Sequence, residues 1–110
     1  KGLDELPWRL SVFFNGMHIR DERFFHLVEA KSRHPTVHIF GKADEYYHYA
    51  RDGFGTAPRV QEECYENPVV LTHEQGHMFP TEEPRAKDIY DRVTKEIFKF
   101  CGLKIPIVAQ

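Results

Sequence analysis

Two closely spaced histidines are the residues of this chain whose types and spacing could most directly support chemistry. His73 and His77 lie in the stretch Thr72-His73-Glu74-Gln75-Gly76-His77-Met78-Phe79-Pro80. Two chemistries compete for them. His77 could be the proton-transferring base of a hydrolytic triad. Alternatively, His73 and His77 could both bind zinc as an H-E-x-x-H motif.

The residues around the two histidines favour a loop over the helix that the zinc motif requires. An H-E-x-x-H site works on a helix, where positions four apart share one face. The preceding run Val69-Val70-Leu71-Thr72 is apolar and β-rich, which predicts a buried strand. A helix begun there would meet Gly76 and Pro80, leaving about two turns. A third zinc ligand would have to come from Glu82 or Glu83, in a turn-like segment.

Two further β-rich runs predict strands earlier in the chain. The first extends from Leu10 to Phe14, and the second from Thr36 to Phe40, with Gly41 letting the chain turn at its end. Asp44 then falls in the loop beyond the second strand, where open α/β sheets collect functional groups. An aspartate in such a loop is usually a helix cap or turn residue, and Asp44 could be the cap of a helix over residues 45–51.

The last element is an amphipathic helix from Pro84 to Cys101. Proline suits its first turn, and Gly102 suits its end. Charged residues that include Glu96 are expected on its solvated face. The apolar positions follow helical spacing: Ala86, Ile89, Tyr90, Val93, Ile97, Phe98 and Cys101.

The order of these elements predicts an α/β fold with about three mostly parallel strands and flanking helices. At 110 residues the chain is at most one domain. A net charge of −2 without a basic block argues against nucleic-acid binding. No apolar run reaches the roughly 20 residues of a membrane span. Two cysteines, Cys64 and Cys101, do not resemble a secreted scaffold, so a cytoplasmic location is expected.

Three stretches together resemble the FSH family (family of serine hydrolases), a branch of the α/β-hydrolase superfamily. They are Phe13-Phe14-Asn15-Gly16, then Pro35-Thr36-Val37-His38-Ile39-Phe40-Gly41-Lys42-Ala43-Asp44, and then Thr72 to Pro80. The family has a small-residue-Gly strand end, a His-hydrophobic-hydrophobic-Gly-x-x-Asp loop and a His-x-x-Gly-His-x-x-Pro loop, in this order. The resemblance covers the chain from Trp8 to about Gly102 and implies part of an α/β-hydrolase sheet.

This resemblance implies that Asp44 is the triad acid and His77 the triad base. The acid precedes the base by 33 residues, in the order that α/β-hydrolases use. His77 would take the proton of a serine hydroxyl, while Asp44 would hold the imidazole tautomer. His73 would shape the loop through hydrogen bonds. No metal and no cofactor is implied.

The family's nucleophile motif, G-x-S-x-G, is missing from these 110 residues, whose serines are Ser11 and Ser32. We therefore expect residues 1–110 to be the C-terminal part of one serine-hydrolase domain, with residues 103–110 as a tail. The main alternative is a non-catalytic, hydrolase-like interaction subunit of a larger assembly. A small zinc protein using His73 and His77 is the remote alternative.

Both leading interpretations predict an open sheet edge along the strand from Leu10 to Phe14. A partner should cover it: the missing N-terminal half, another subunit or a second copy. The resemblance implies carboxylic esters as the small-molecule substrates. The aromatic residues Phe24, Phe25, Phe79 and Tyr46 would tolerate an apolar acyl group.

Overall fold

Three strands and one long helix make up the regular structure of the chain. The computed structural model describes residues 7–16, 23–24, 26, 30–47 and 64–102. Its elements are β1 (Ser11–Phe14), β2 (Thr36–Gly41), β3 (Val69–His73) and α1 (Arg85–Cys101). Each strand agrees with its sequence prediction to within one residue at either end, because each is a short β-rich run bounded by polar residues, glycine or proline.

The three strands form one parallel sheet in the order β1-β2-β3. Phe14 pairs with Ile39, and Ile39 in turn pairs with Leu71. Since the strands are parallel, their carboxyl ends lie at the same edge of the sheet. The loops that follow β2 and β3, which carry Asp44 and His77, therefore begin side by side.

Both faces of the central strand are covered. On one face, Val37 and Ile39 pack with Ile89 of α1, and all three are fully buried. On the other face, His38 contacts Tyr65 with ring centroids 5.5 Å apart. This arrangement explains why β2 is buried at every position, including the polar residues Thr36 and His38, as is usual for a strand inside a parallel sheet. Together, the parallel sheet and the C-terminal helix confirm the predicted partial α/β fold.

The helix α1 ends as predicted, at a glycine. Gly102 has φ of 70°, in the left-handed region, and its N–H donates to the carbonyl of Phe98. Predictions for three residues of this helix were wrong: Glu96 is only 8% exposed, not solvated, while Tyr90 and Ile97, expected on the buried apolar face, are 39% and 37% exposed. Arg92, one turn earlier, donates from Nε to Glu96 Oε1 at 3.1 Å, and this pairing allows the carboxylate to be buried.

β1 is an edge strand of the described sheet. The N–H groups of Ser11 and Asn15 donate to carbonyls beside and within β2. Because alternate residues of a parallel strand point to opposite sides, the N–H groups of Val12 and Phe14 point away from β2. No described strand pairs with them. The described part of the chain therefore has the open edge that the sequence predicted.

Several sequence predictions fall largely or wholly outside the described residues. These are the helix over residues 45–51, the placement of Phe25 beside an acyl group and the tail 103–110. Neither Cys64 nor Cys101 forms a disulfide. No helix in the described ranges combines the length and apolar character needed to cross a bilayer.

Candidate active site

Asp44 and His77 form a hydrogen bond at the carboxyl edge of the sheet. His77 Nδ1 lies 2.7 Å from Asp44 Oδ2. A carboxylate can only accept, so Nδ1–H is the donor and Nε2 of the neutral ring remains an acceptor. The Asp44 side chain is 4% exposed, whereas that of His77 is 63% exposed. The structure thus brings together a buried carboxylate and an imidazole that faces outward.

The second carboxylate oxygen of Asp44 stabilises the local turn. Oδ1 accepts the N–H of Tyr46 at 2.9 Å, and the Asp44 N–H donates to the carbonyl of Gly41 at 3.1 Å. The capping role considered from the sequence and the contact with His77 are therefore compatible, because each uses a different oxygen. These bonds hold the Asp44 carboxylate in place independently of its bond to the imidazole.

Backbone hydrogen bonds join the two loops beyond the strands. The Lys42 N–H donates to the carbonyl of His73 at 2.8 Å, and the Ala43 N–H donates to the carbonyl of Gln75 at 3.1 Å. These bonds extend the pairing of β2 with β3 past the last residue of each strand. The loop that carries Asp44 is thereby held against the loop that carries His77.

Gly41 allows this close approach of the two loops. A Cβ atom at Gly41 would lie 2.3 Å from the carbonyl oxygen of Gly76 and 2.4 Å from that of Gln75. A turn follows Gly41 as expected, because the Asp44 N–H donates to its carbonyl, but Gly41 has no positive φ, so left-handed backbone is not what requires a glycine here. Its role is to leave space at the last position of β2, where the neighbouring loop passes over the strand.

We expect Gly41→Ala to destabilise the fold by about 1–3 kcal/mol, since the added methyl overlaps backbone atoms that cannot rotate away. Urea unfolding would measure the change. Gly76→Ala is a matched control, because its Cβ would meet only the carbonyl of Ala43, at 3.8 Å. Equal stability of the Gly41 variant and the wild type would show that the loop shifts freely, which contradicts this interpretation.

His73 is a buried residue at the end of β3, with 2% of its surface exposed. Its Nδ1 accepts the N–H of Gln75 at 3.1 Å, which is the kind of loop-shaping bond expected from the sequence. His73 and His77 do not share a helix, because β3 ends at the first and a loop carries the second. Within the described ranges, no group of three or more His, Cys, Asp or Glu side chains could hold a metal ion.

Burial lowers the pKa of His73 below its ordinary value of 6.5, and nearby Arg85 lowers it further, while Glu74 acts in the opposite direction. The folded state therefore favours the neutral ring. The unfolded chain binds this proton more readily, so stability is complete above pH 6.5 and falls as the pH drops toward the lowered pKa. Protonation of Nδ1 would also remove the acceptor used by Gln75.

We expect urea unfolding to show lower stability at pH 5.5 than at pH 7.5, in part through His73. In His73→Asn the side-chain oxygen can still accept the N–H two residues on, but it does not titrate. The pH dependence of this variant should be weaker than that of the wild type. An identical pH dependence would rule out His73 as a source of acid sensitivity.

An open depression of about 210 Å³ borders the imidazole. The ring of Phe79 packs edge-on against Phe14 at 4.5 Å, and Tyr46 lies edge-on to His77 at 6.4 Å. Of the aromatic residues predicted to surround an acyl group, Phe79 lines the depression and Tyr46 contacts the imidazole. Phe24 does not line it. The lining residues are Phe14, Asn15, His77, Met78 and Phe79.

Asn15 and Gln75 also belong to the site, although neither was predicted to do so from the sequence. Asn15 has φ of 56°, and its Oδ1 accepts the N–H of Gly41 at 2.9 Å. This bond ties the end of β1 to the end of β2. The Asn-Gly pair after the first strand was the available signal, since asparagine tolerates left-handed backbone. The sequence around Gln75 contains no such signal. Its importance lies in hydrogen bonds to residues before and after His77, which are seen only in the folded loop.

One protein family matches most of the chain. The family model described as "Serine hydrolase (FSH1)" matches residues 1–89. The match includes all three strands and both Asp44 and His77. No curated protein and no solved structure gives a significant match. Because the family model matches well over half of its length, the chain belongs to the FSH1 serine hydrolase family.

Proposed function

We propose that this chain contributes the acid and the base of a serine hydrolase that cleaves carboxylic esters. In this proposal His77 is the base, Asp44 is the acid, and residues 1–110 are the C-terminal part of the hydrolase domain. The observation that carries it is the 2.7 Å bond between the buried Asp44 carboxylate and Nδ1 of an outward-facing imidazole. An ordinary surface ion pair leaves its carboxylate exposed to solvent, whereas the Asp44 carboxylate is buried and both of its oxygens accept hydrogen bonds.

The chemistry follows from the two ring nitrogens of His77. Nε2 would accept the proton of a serine hydroxyl as its oxygen attacks the ester carbonyl carbon. The same proton would then pass to the departing alcohol oxygen, leaving an acyl-serine. Water, activated in the same way, would release the acid and restore the serine. Asp44 would keep Nδ1 protonated and stabilise the imidazolium formed in each half-reaction.

The serine is expected from outside the 110 residues. Ser11 opens β1, at the amino end of the sheet, and its Oγ contacts Trp8 Nε1 and His34 Nε2 at 2.7 and 3.0 Å. His77 follows the carboxyl ends of the strands, so Ser11 lies at the wrong edge for it. Ser32 is buried, with 3% of its surface exposed.

The open edge of β1 offers a place for the missing strand. A further parallel strand would lie about 4.8 Å from β1, and a turn at its carboxyl end would face the same edge as His77. The depression beside Phe14 and Asn15 lies where that turn would arrive. The nucleophile elbow expected from the family resemblance would therefore approach Nε2 from the β1 side.

The surroundings of the imidazole favour a substrate with an apolar group. Phe79 is 63% exposed and Met78 is 46% exposed, and both line the depression. Large apolar side chains left accessible beside polar reacting groups commonly mark a binding surface. We propose that the acyl or alcohol part of the ester packs on these two side chains.

Hydrolysis of p-nitrophenyl esters by the complete natural protein would test this function. A series from acetate to decanoate should be cleaved faster than in buffer, with kcat/KM rising from the shortest to the intermediate acyl chains. Each added methylene that is buried contributes about 0.8 kcal/mol or less. A folded protein that cleaves none of these esters above the buffer rate would argue against the proposal.

A second candidate function is that of a non-catalytic, hydrolase-like interaction subunit. It is favoured by the absence of G-x-S-x-G from these residues and by the outer side of β1, with which no strand of the described ranges pairs. In this case a partner strand would cover the edge without supplying a nucleophile. A complete protein that lacks esterase activity and forms a stable complex through β1 would support this alternative.

A further inference from the structure

We propose that Gln75 is a positioning residue that holds the imidazole of His77 against Asp44. The structural part of this inference depends only on the contacts of Gln75. Its consequence for catalysis rests on the function proposed above. Gln75 lies two residues before His77, and its polar groups bond to segments on both sides of the histidine.

The side chain of Gln75 closes the loop around His77. Its Oε1 accepts the backbone N–H groups of Thr81 and Glu82, at 2.7 and 2.9 Å. Its Nε2 donates to the hydroxyl of Thr81 at 3.1 Å. The amide therefore joins the residues before the imidazole to those after it, so that His77 is carried on a short closed loop and not on a free one.

The backbone of Gln75 attaches the closed loop to the rest of the site. Its N–H donates to Nδ1 of His73, which is buried at the end of β3. Its carbonyl accepts the N–H of Ala43, the residue before Asp44. One residue thus connects the strand end, the loop of the acid and the loop of the base.

The far end of the closed loop is fixed to α1. The hydroxyl of Tyr90 donates to the carbonyl of Pro80 at 2.6 Å, and Arg85 Nε donates to the carbonyl of Thr72 at 2.8 Å. Tyr90 therefore ties the far end of the closed loop to α1, and Arg85 ties α1 to β3 just before the loop. Gln75 joins the two ends of the loop to each other. Without the amide of Gln75, the segment between the two anchors would lose its cross-link.

The imidazole needs this support because it has few contacts of its own. The side chain of His77 is 63% exposed, and its described polar contact is the bond to Asp44. The ring of Tyr46 lies at 6.4 Å and covers one side. An exposed side chain keeps one orientation only if its backbone is held, since ordering it costs conformational entropy. The backbone on which His77 depends is the one that Gln75 closes.

Gln75→Ala tests the inference, and Gln75→Glu is the conservative variant. The carboxylate of the second variant can still accept the N–H groups of Thr81 and Glu82. Glu74→Gln is the matched control, because this neighbouring side chain is exposed, its described ion pair is with Lys42 at 3.6 Å, and it makes none of the loop-closing bonds of Gln75. All variants would be studied in the complete natural protein, labelled with ¹⁵N in histidine and in the backbone.

In Gln75→Ala, amide exchange at Thr81 and Glu82 should be about fivefold faster or more, as expected for loss of a typical hydrogen bond at each N–H. The hydrogen-bonded Nδ1 proton of His77 should broaden or disappear from the spectrum. In Gln75→Glu and in the Glu74→Gln control, amide exchange at Thr81 and Glu82 should stay as slow as in the wild type, and the Nδ1 proton should remain visible. An unchanged Nδ1 proton in Gln75→Ala, with cooperative unfolding, would overturn the inference.

These readouts require no hydrolysis, so they separate this inference from the proposed function. If the protein is active, Gln75→Ala should lower kcat with little change in KM, because the amide positions the base and does not line the depression. A change in KM alone would contradict that role. Should Gln75→Ala fail to fold, Thr81→Val removes only the hydroxyl acceptor. Thr81→Val should also weaken the signal of the His77 Nδ1 proton, and an unaltered signal in this variant would overturn the proposal.

Discussion

His77→Ala is expected to lower kcat for ester hydrolysis by about 10⁶-fold, the loss typical of removing the base from a triad. In the proposed mechanism Nε2 is the group that accepts the proton of the serine hydroxyl, and the alanine variant lacks it. The hydroxyl alone is a weak nucleophile. The side chain is 63% exposed, so its removal should leave the unfolding curve almost unchanged. Burst and steady-state kinetics on the complete protein would measure the loss.

His26→Ala is the control for this experiment. His26 is exposed and does not line the depression beside the imidazole. We expect this variant to keep wild-type kinetics. If His77→Ala kept activity within tenfold of the wild type, another group would have to be the base, and the assignment of His77 would be wrong.

Asp44→Asn should lower kcat by about 10⁴-fold while preserving the shape of the site. The amide keeps an oxygen that can accept the N–H of Tyr46, so the turn after β2 should remain. The NH₂ group that replaces Oδ2 is a donor, however, and it favours the imidazole tautomer with the proton on Nε2. That tautomer has no lone pair available for the serine proton.

The size of this loss distinguishes a triad acid from a capping aspartate. If Asp44 served only as a turn residue, the asparagine would replace it with little effect, because asparagine is an equally good partner for a nearby N–H. Asp91→Asn is a matched control on the exposed face of α1, where Asp91 pairs with Lys87. Retention of more than a tenth of kcat in Asp44→Asn would contradict the role proposed for Asp44.

The secondary structure could be predicted because its signals are local. The run Thr36 to Phe40 is β-branched and apolar, and α1 repeats its apolar residues at helical spacing up to a glycine. Glu96 was predicted wrongly for the same reason. Helical spacing assigns each residue to a face of the helix. It does not show that Glu96 pairs with Arg92 and that this ion pair allows the carboxylate to be buried.

The contacts of the site depend on how distant segments align, and local patterns do not contain that information. A turn was expected after Gly41, but the close approach of the Gln75 and Gly76 backbone, which requires a glycine there, was not. Gln75 itself looks like an ordinary polar loop residue until both strand ends are brought together. The alignment of β2 with β3, with Gly41 opposite His73, produces the contacts of Gly41 and the bond from Ala43 to Gln75, whereas the side-chain bonds of Gln75 to Thr81 and Glu82 form within its own loop.

Asp44 illustrates the limit most clearly. Its position after a strand is compatible with a cap or with a triad acid, and the sequence supported the second role only through the resemblance to FSH hydrolases. The structure adds the distance of 2.7 Å to His77 and the burial of the carboxylate. It also shows that the contacts with Tyr46 and His77 use different oxygens, so the local pattern alone could not have separated a cap from the proposed triad acid.

Covalent labelling of the complete protein by a fluorophosphonate tests the central claim most directly. The labelled peptide would be mapped by mass spectrometry in the wild type and in His77→Ala. We predict a single modified serine outside these 110 residues, on a strand-to-helix turn, with much slower modification in the variant. A folded wild-type protein that takes up no label, or a serine that reacts equally fast without His77, would contradict the account.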